Sequence, residues 1–509
     1  MAKKKILLLS DDLRMHSGVA TMSRELVLGT VHKYNWVQMA GAIKNPDGGK
    51  IMDLSQATKD LIKQGKVKAD KNDDDIYVKL YPVDGYGNED ILYAVINQEK
   101  PDAIMHFTDP RFWGWLYQME HSLRQKFPLT YLNIWDDIPY PMYNRPFYES
   151  CDALFSISKQ TMNINNWVLG EENVCRIDEP MNGKSLIHLV PHGINEEIFQ
   201  RKDKTTKEYQ ERYNSIFQGK KYDFVIFYNS RNVQRKRTSN IILGYRTFCD
   251  NLPPEEAKKC CLLLHTEVMH EAGTNLIALK EALCPDYDIV FSPAKIPPEE
   301  MPYLYSMGDV TINASSNEGF GLSLAESLMC ETPIIATVTG GLQDQIGQTK
   351  DDGSPIEFTQ EFGSNSVGKY KKHGVWAYPL WPVTRMIQGS IPTPYIFDDL
   401  TKWEDIADAY MYWYKMSPET RRACGKEGRR WACNEGGINA TNMCQQYVDG
   451  MEYVFRNWKP RKSFGLYSSS AYIGNKMLDS KKPGFEIPTI DQEAIQSKIK
   501  ETETKLVSV

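Results

Sequence analysis

Short apolar runs recur along the first part of the chain: KILLLS, DAIMHF, TYLNIW, DALFSIS and SLIHLV. Each is rich in aliphatic residues and is separated from the next by polar or amphipathic stretches of helical length, which predicts buried parallel strands joined by crossover helices. After the charged linker FQRKDKTTKEYQERYNSIFQGKKYD the pattern restarts with FVIFYNS, CCLLLHT, YDIVFS, DVTINAS and TPIIAT. Two successive α/β halves predict two doubly wound, Rossmann-like domains that face each other, with ligand gripped in the cleft beyond the strand C-termini. The boundaries read as 1–200 for the first domain, 201–450 for the second, and 451–509 for a C-terminal helix and tail packing back on the first.

Between Asp344 and Gly374 the chain turns polar and glycine-rich, the pattern of a loop or insertion beside the cleft. Near the end, WEDIADAYMYWYKM and NMCQQYVDGMEYVFRNW read as helical, and SSSAYIGNKMLDSKKPGFEIP as irregular.

Composition narrows the classes. A chain of 509 residues, 41% hydrophobic and 25% charged, is long enough for about two domains with ample cores. No apolar run approaches the roughly 18 residues of a membrane span, and MAKKK leads into ILLLS, too short for a signal-peptide core. A cytoplasmic location is the expectation. The ten cysteines form no C-x-x-C pair, so neither a zinc site nor a disulfide scaffold is expected. With 60 basic against 66 acidic residues, the overall charge gives no expectation of nucleic-acid binding, although a local basic face remains compatible with it.

The sharpest local signal is SSNEGFGLSLAESLMCETP, Ser315 to Pro333, with Glu318 and Glu326 on either side of a Phe-Gly-Leu turn. DVTINAS reads as a strand, SNEGFG as a strand-to-helix loop and LSLAESLMC as the start of a helix. Small residues at such a junction let backbone N–H groups point at an anion, where the helix N-terminus adds partial positive charge. A phosphate fits there. Glu326, a little over one turn into the helix, can accept hydrogen bonds from a ribose beside it, and Glu318 can reach a sugar hydroxyl. One ligand with all these parts is a nucleotide diphosphate sugar. The plainer alternative is an Glu-Gly strand end and a solvated helix glutamate. Upstream, SRNVQRKR places Arg231 and Lys236 in the loop after the first strand of the second half, where two cations can neutralise a leaving diphosphate or stand as surface charge.

These motifs together resemble the retaining GT-B glycosyltransferases of the GT4 type. The resemblance rests on NEGFGLSLAES, on Arg231 and Lys236 before it, on TPIIATVTGGLQDQI after it, and on PHGINEEIF at the end of the first half. It covers roughly residues 1 to 450, is strongest from Ser315 to Ile346, and keeps the family's motif order. It implies a GT-B fold with an acceptor-binding first domain and a nucleotide-sugar-binding second domain. Arg231 and Lys236 would hold the donor diphosphate, Glu326 the ribose and Glu318 the transferred sugar. The amides of Gly319, Phe320, Gly321 and Leu322 would complete the anion cradle.

Ser17 and Gly18, in RMHSGVATMS, stand where the family has a glycine-rich loop over the phosphates, with Ser17 in place of the usual first glycine. Where the family commonly has a first-domain histidine or acidic residue facing the sugar, TYLNIWDDIPYP offers Trp135 followed by Asp136 and Asp137, and His106 is the next candidate. For the paired aspartates a strand-end turn is the competing structural role. His192, in VPHGIN, reads as a hinge-loop residue. The implied chemistry is attack by the acceptor from the face the diphosphate leaves, with a phosphate oxygen taking the proton. A UDP-sugar is the expected co-substrate, and neither a metal nor another cofactor is expected.

Two first-domain stretches, DDLRMHSGVATMSRELVLGTVHKYNW and HFTDPRFWGWLYQMEHSLRQKFPLTYLNIWDDIPYPMYN, are similar to glycosyltransferases of large tailed phages. That group includes enzymes that add sugars to hydroxymethylcytosine in phage DNA. The similarity implies transfer of a pentose or hexose to a 5-hydroxymethyl group on DNA, in the cytoplasm of a host cell. Phe112, Trp113, Trp115 and Tyr117 would then receive a flipped base, or they pack as ordinary core. Arg456 to Lys462 and the linker lysines near Lys202 are the phosphate-contact candidates, or solvated faces. The competing readings are a glycosyltransferase acting on a carbohydrate or small-molecule acceptor, and a non-catalytic nucleotide-sugar-binding protein.

Overall fold

The computed structural model describes residues 2–42, 44–69, 75–359 and 369–462, together with the short strands Tyr472–Ile473 and Lys476–Met477. Met1–Pro460 form one compact unit and Arg461–Val509 a second. Most of the tail included in 451–509, and residues 360–368 of the polar insertion, lie outside the described residues.

The first sheet contains β1 (Lys4–Asp11), β2 (Tyr34–Ala42), β3 (Met52–Asp53), β4 (Val78–Asp84), β5 (Ala103–Phe107), β6 (Leu129–Asn133), β7 (Ala153–Ser156), β8 (Val174–Cys175) and β9 (Ser185–Leu189). Their order is β3-β4-β2-β1-β5-β6-β7-β9-β8, parallel except where β3 meets β4. The run Ile6–Leu9 is fully buried, as a central strand covered on both faces demands. In β2, the polar Gln38 interrupts the apolar run. It is satisfied internally, donating to Ser10 Oγ at 2.7 Å and to the Asp11 carbonyl at 2.8 Å.

The second sheet holds β10 (Phe224–Asn229), β11 (Cys260–His265), β12 (Ile289–Phe291), β13 (Val310–Asn313), β14 (Ile334–Thr337) and β15 (Ala377–Leu380). All its pairings are parallel, in the order β12-β11-β10-β13-β14-β15. A separate antiparallel hairpin follows, β16 (Thr384–Gln388) with β17 (Ile396–Leu400).

The charged stretch between the halves is not merely a tether. Residues Lys207–Phe217 form a helix capped by the Thr206 side chain, and Tyr209 and Phe217 are buried in the core. Its polar face had masked the two apolar anchors in the sequence.

The strand C-termini of the two sheets meet. A Cβ on Gly319, in the loop after β13, would stand 3.0 Å from the Ile134 carbonyl oxygen after β6. Asp344 Oδ2 accepts from the Lys159 amide at 2.9 Å, satisfying a free N–H at the start of the first-half helix Lys159–Leu169. The long helix Ala440–Asn457 then crosses back onto the first sheet. Its Tyr447 stacks on Trp36 at 5.9 Å and meets the edge of Phe155 at 5.4 Å. Fully burying one such ring stabilises by roughly 1.5–3 kcal/mol, so this helix fastens the two halves together.

Candidate active site

Three loops at the C-terminal ends of β10, β13 and β14 build the second-half wall. The first runs from Asn229 into the short 3-10 turn Gln234–Lys236. Asn232 is buried and pins this loop, donating to the Thr274 carbonyl at 2.7 Å and accepting from the Thr274 amide at 3.2 Å. Lys236 is thereby turned inward, and its ammonium forms a close ion pair with Glu318 Oε2. Arg235 donates to the Asn317 carbonyl at 2.8 Å and reaches Glu318 Oε2 at 3.3 Å. Arg231 is exposed, and its guanidinium has no hydrogen bond or ion pair among the described residues.

Burial pushes the Lys236 ammonium well below the ordinary lysine range; Arg235 and Arg231 add to the shift, and Asp136 opposes it. Three cations, Lys236, Arg235 and Arg231, here face two carboxylates, Glu318 and Asp136, so the cations stay incompletely neutralised. The pocket therefore favours an additional anion.

The second loop carries the Glu318 to Leu322 turn. Gly321 has φ +88°, where a side chain is strained, and it opens the helix Leu322–Met329. Across from it a Cβ on Gly340, itself at φ +47°, would collide with the Glu318 carbonyl oxygen. The turn is further held by Gln345 Nε2, which donates to the Phe320 carbonyl at 2.6 Å, and by the Gly341 amide, which donates to the Glu318 carbonyl at 2.9 Å.

Glu326 sits one turn into that helix. Tyr305 donates to its Oε2 at 2.5 Å and accepts from Asn229 Nδ2 at 2.9 Å. Burial raises the Glu326 carboxyl to about 7, against the downward pull of the Tyr305 hydrogen bond.

The first half supplies the opposite wall. Ser17 caps the helix Gly18–Thr30, accepting from the Ala20 amide at 3.0 Å and donating to Asp11 Oδ2 at 2.8 Å. Gly18 faces Leu322: a Cβ on it would lie 3.5 Å from the leucine Cδ1. The structure thus brings the first loop against the Glu318 to Leu322 turn.

The two aspartates after β6 differ. Burial raises the Asp136 carboxyl above the usual aspartate range, while the charges of Arg235 and Lys236 pull it back down. Asp137 points into the protein; its Oδ1 accepts from the Ile138 amide at 2.9 Å and its Oδ2 is buried without a partner among the described residues. Burial, with Asp136, Asp399 and Asp398 nearby, holds its carboxyl well above the usual range. Asp137 is therefore an inward-facing group whose burial favours its protonated form, and Asp136 is the one turned to the cations.

His106 lies within β5, paired with Leu9, rather than at a strand end. It is fully buried, stacks on Tyr131 at 4.9 Å and shares a 2.8 Å hydrogen bond with the Tyr117 hydroxyl. Burial pushes its imidazole down to about 3. Its ring is packed among Trp113, Tyr117 and Tyr131 of the first half. His192 is buried as well, edge-on to Phe107 at 5.7 Å and to Phe320 at 5.4 Å, so it joins the two halves behind the glycine turn.

Of the aromatic cluster, Trp113 and Tyr117 are core, whereas Phe112 is 59% exposed and stacks on Tyr86 at 5.5 Å. Arg456, Lys459 and Lys462 are exposed, and Lys202 lies over the Tyr303 ring at 5.1 Å.

Sequence reasoning missed four residues around the site. Arg235 was visible inside SRNVQRKR but not separated from its neighbours. Tyr305 lies in the apolar helix Met301–Met307 and reads as core. Asp398 and Asp399 lie in β17 and hold the second-half loops from behind. Among the described residues, no group of three or more His, Cys, Asp or Glu side chains is arranged to hold a metal ion, and no helix is long and apolar enough to cross a membrane.

Residues 278–361, which include Glu318, the glycine turn and Glu326, match the family described as glycosyl transferases group 1. The chain is 43% identical over 54 residues to a D-inositol 3-phosphate glycosyltransferase of Corynebacterium urealyticum, covering 11% of this chain and 13% of that protein. It is 33% identical over 98 residues to the enzyme of that name from Salinispora tropica, covering 18% and 20%. The chain thus spans a fifth or less of the length of these curated relatives.

Over its whole fold it is similar to sucrose-phosphate synthase from Thermosynechococcus elongatus, with a TM-score of 0.60 and 15% identity, covering 89% of this chain and all of that one. It is also similar to Anabaena Alr3699/HepE in complex with UDP-glucose, with a TM-score of 0.57 and 13% identity, covering 88% and 99%. The chain is a GT-B fold protein whose residues 278–361 match the glycosyl transferases group 1 family.

Proposed function

We propose that the protein is a retaining glycosyltransferase that moves a sugar from a nucleotide diphosphate sugar, a UDP-sugar, to an acceptor hydroxyl. The observation that carries this reading is the inward-turned Lys236, paired with Glu318 and flanked by Arg235 and Arg231, beside the glycine turn at the start of the helix Leu322–Met329. A diphosphate adds the negative charge this pocket lacks, and the same cations stabilise the charge that grows on it as it leaves. Glu326, aligned by Tyr305, takes the ribose hydroxyls, and Glu318 passes from Lys236 to the transferred sugar. The acceptor attacks from the departing face and its proton goes to a diphosphate oxygen. Asp136, across the cleft, stabilises the positive charge that builds on the sugar ring.

For the acceptor we propose the 5-hydroxymethyl group of modified cytosine in DNA. The likeness of the first-domain stretches to phage glycosyltransferases supports this reading. The exposed Phe112 face stacked on Tyr86 supports it too, since it is available for a base turned out of the helix. A sugar ring would stack on the same aromatic face, so a carbohydrate acceptor is the second reading.

The test is to incubate the protein with hydroxymethylcytosine DNA and a panel of UDP- and GDP-sugars, digest to nucleosides and weigh them. A pentose or hexose increment on the modified base is expected. Slow donor hydrolysis without an increment would keep the transferase and move the acceptor to carbohydrate. Failure to bind or hydrolyse any sugar nucleotide would overturn the enzyme reading.

A further inference from the structure

We infer that the β16–β17 hairpin is a strap that sets the donor-binding loops from behind and anchors them to the first half, with Asp398 as its positioning residue. This rests on the nucleotide-sugar reading above.

Neighbouring residues of a strand point to opposite faces, so a surface hairpin leaves at least one of two consecutive aspartates in water. Here both are buried, Asp398 at 2% and Asp399 at 1% exposure. β17 is therefore gripped on both sides, and buried carboxylates persist only where donors satisfy them. Asp398 accepts from Arg237 Nη2 at 2.7 Å, from Ser316 Oγ and Asn317 Nδ2 at 2.9 Å each, and from Gln388 Nε2. Asp399 accepts from Thr339 Oγ1 at 2.8 Å and faces Arg385 at 3.3 Å, while its amide donates to the Ser316 carbonyl at 3.0 Å.

The partners are placed consistently. Arg237 follows Lys236, Asn317 precedes Glu318, and Thr339 precedes Gly340, so each lies one residue from a member of the anion pocket. Arg237 also has φ +53°, a strained conformation for a residue with a side chain, and Asp398 holds its guanidinium. The turn that aims Lys236 inward ends at this residue, whose amide donates to the Gln234 carbonyl at 3.1 Å.

The other end of β17 reaches the first half. The Phe397 amide donates to the Ile138 carbonyl at 2.9 Å, one residue beyond Asp137. Tyr395 Oη accepts from the Met142 amide at 3.2 Å and donates to the Tyr140 carbonyl at 3.3 Å, and its ring packs edge-on to Tyr143 at 4.9 Å. One strand thus fixes the cation loop, the glycine turn and the aspartate loop relative to one another.

The experiment is calorimetric titration of the full-length protein with UDP, alongside melting temperature and steady-state transfer or donor hydrolysis. Wild type binds UDP, and Asp398→Asn, with a melting temperature close to wild type, is expected to bind about tenfold more weakly. Should Asp398→Asn not fold, Arg237→Gln removes the Asp398 contact and Thr339→Val the Asp399 contact from the loop side, and both are expected to weaken UDP in the same direction. Tyr395→Phe, which alters only the first-half anchor, is expected to leave UDP affinity within about twofold and to lower kcat, a split that loss of fold does not produce.

UDP affinity unchanged in folded Asp398→Asn, or in both replacement variants, overturns the strap while leaving the donor site standing. Unchanged kcat in Tyr395→Phe overturns the first-half anchor. A wild-type protein that binds neither UDP nor GDP overturns the nucleotide-sugar reading, and the strap falls with it; one that binds GDP alone moves the same titrations to GDP.

Discussion

Tyr305 donates to Glu326 Oε2 at 2.5 Å while accepting from Asn229 Nδ2 at 2.9 Å, a buried relay that runs from the end of β10 to the helix after the glycine turn. Removing the tyrosine hydroxyl leaves Glu326 buried without its donor, so its carboxyl is expected to move further up and its orientation to loosen. Tyr305→Phe should therefore raise the KM for the donor about tenfold with a smaller effect on kcat, as loss of a hydrogen bond to a charged group predicts. Steady-state kinetics with varied donor checks this, and an unchanged KM would show that Glu326 needs no alignment.

The Glu326 carboxyl, raised to about 7 by burial, gives donor binding a pH dependence with a definite sign. Ribose hydroxyls donate to the ionised form, so affinity for UDP should increase as pH rises through about 7 and level off above it. Stability runs the other way. The folded carboxyl holds its proton to higher pH than the unfolded one, so the folded state loses stability as pH rises from the ordinary glutamate range to about 7. Glu326→Gln is expected to raise the melting temperature more at about pH 8 than at about pH 5.5, and to abolish the pH dependence of UDP binding. Titrations and melts at those pH values decide both.

Lys236 and Arg231 were paired as diphosphate ligands in the sequence, but their surroundings separate them. Lys236 is buried against Glu318, whereas Arg231 stands in solvent. Lys236→Ala is expected to cut kcat/KM by about 10²- to 10³-fold, the scale of losing one fixed donor to developing charge. Arg231→Ala should cost less and lose its effect as salt rises, because an exposed charge is screened. Equal losses that do not respond to salt would place Arg231 in the buried site as well.

The parts of this architecture that were legible in the sequence are those where local pattern and tertiary role agree. β1, β5, β10 and β11 are short, dominantly apolar runs that read as buried strands. β2 and β4 escaped because Gln38 and Pro82 interrupt the apolar pattern, although Gln38 is satisfied inside the sheet. In the site, Glu318, Glu326 and the glycine turn share one contiguous motif. Tyr305, Asp398 and Asp399 do not: they reach that motif only through the fold, and an adjacent pair of aspartates on a strand reads as solvated. His106 carried an opposite signal. Its place inside the apolar run DAIMHF predicts the buried position it occupies.

The two aspartates of the first-half loop provide the most discriminating comparison. Asp136 faces Arg235 and Lys236, while Asp137 is turned inward and its carboxyl is held above the usual range by burial and by Asp136, Asp399 and Asp398. A carboxyl and an amide have nearly the same shape, and Asn at 137 keeps an oxygen for the Ile138 amide. Asp137→Asn should therefore leave kcat within about threefold of wild type, and it should raise the melting temperature at neutral pH, because a folded-state carboxyl held above its usual range destabilises the fold as pH rises. Asp136→Asn removes the one first-half charge that opposes the cations across the cleft. It is expected to lower kcat by about 10- to 100-fold while leaving UDP affinity equal or tighter, since a carboxylate facing the diphosphate is gone. His106→Ala is expected to lower stability without changing the turnover of the folded fraction. The reverse ranking, with Asp137→Asn inactive and Asp136→Asn normal, would mean that the loop rearranges when donor binds and that the inward carboxyl is the one that meets the sugar.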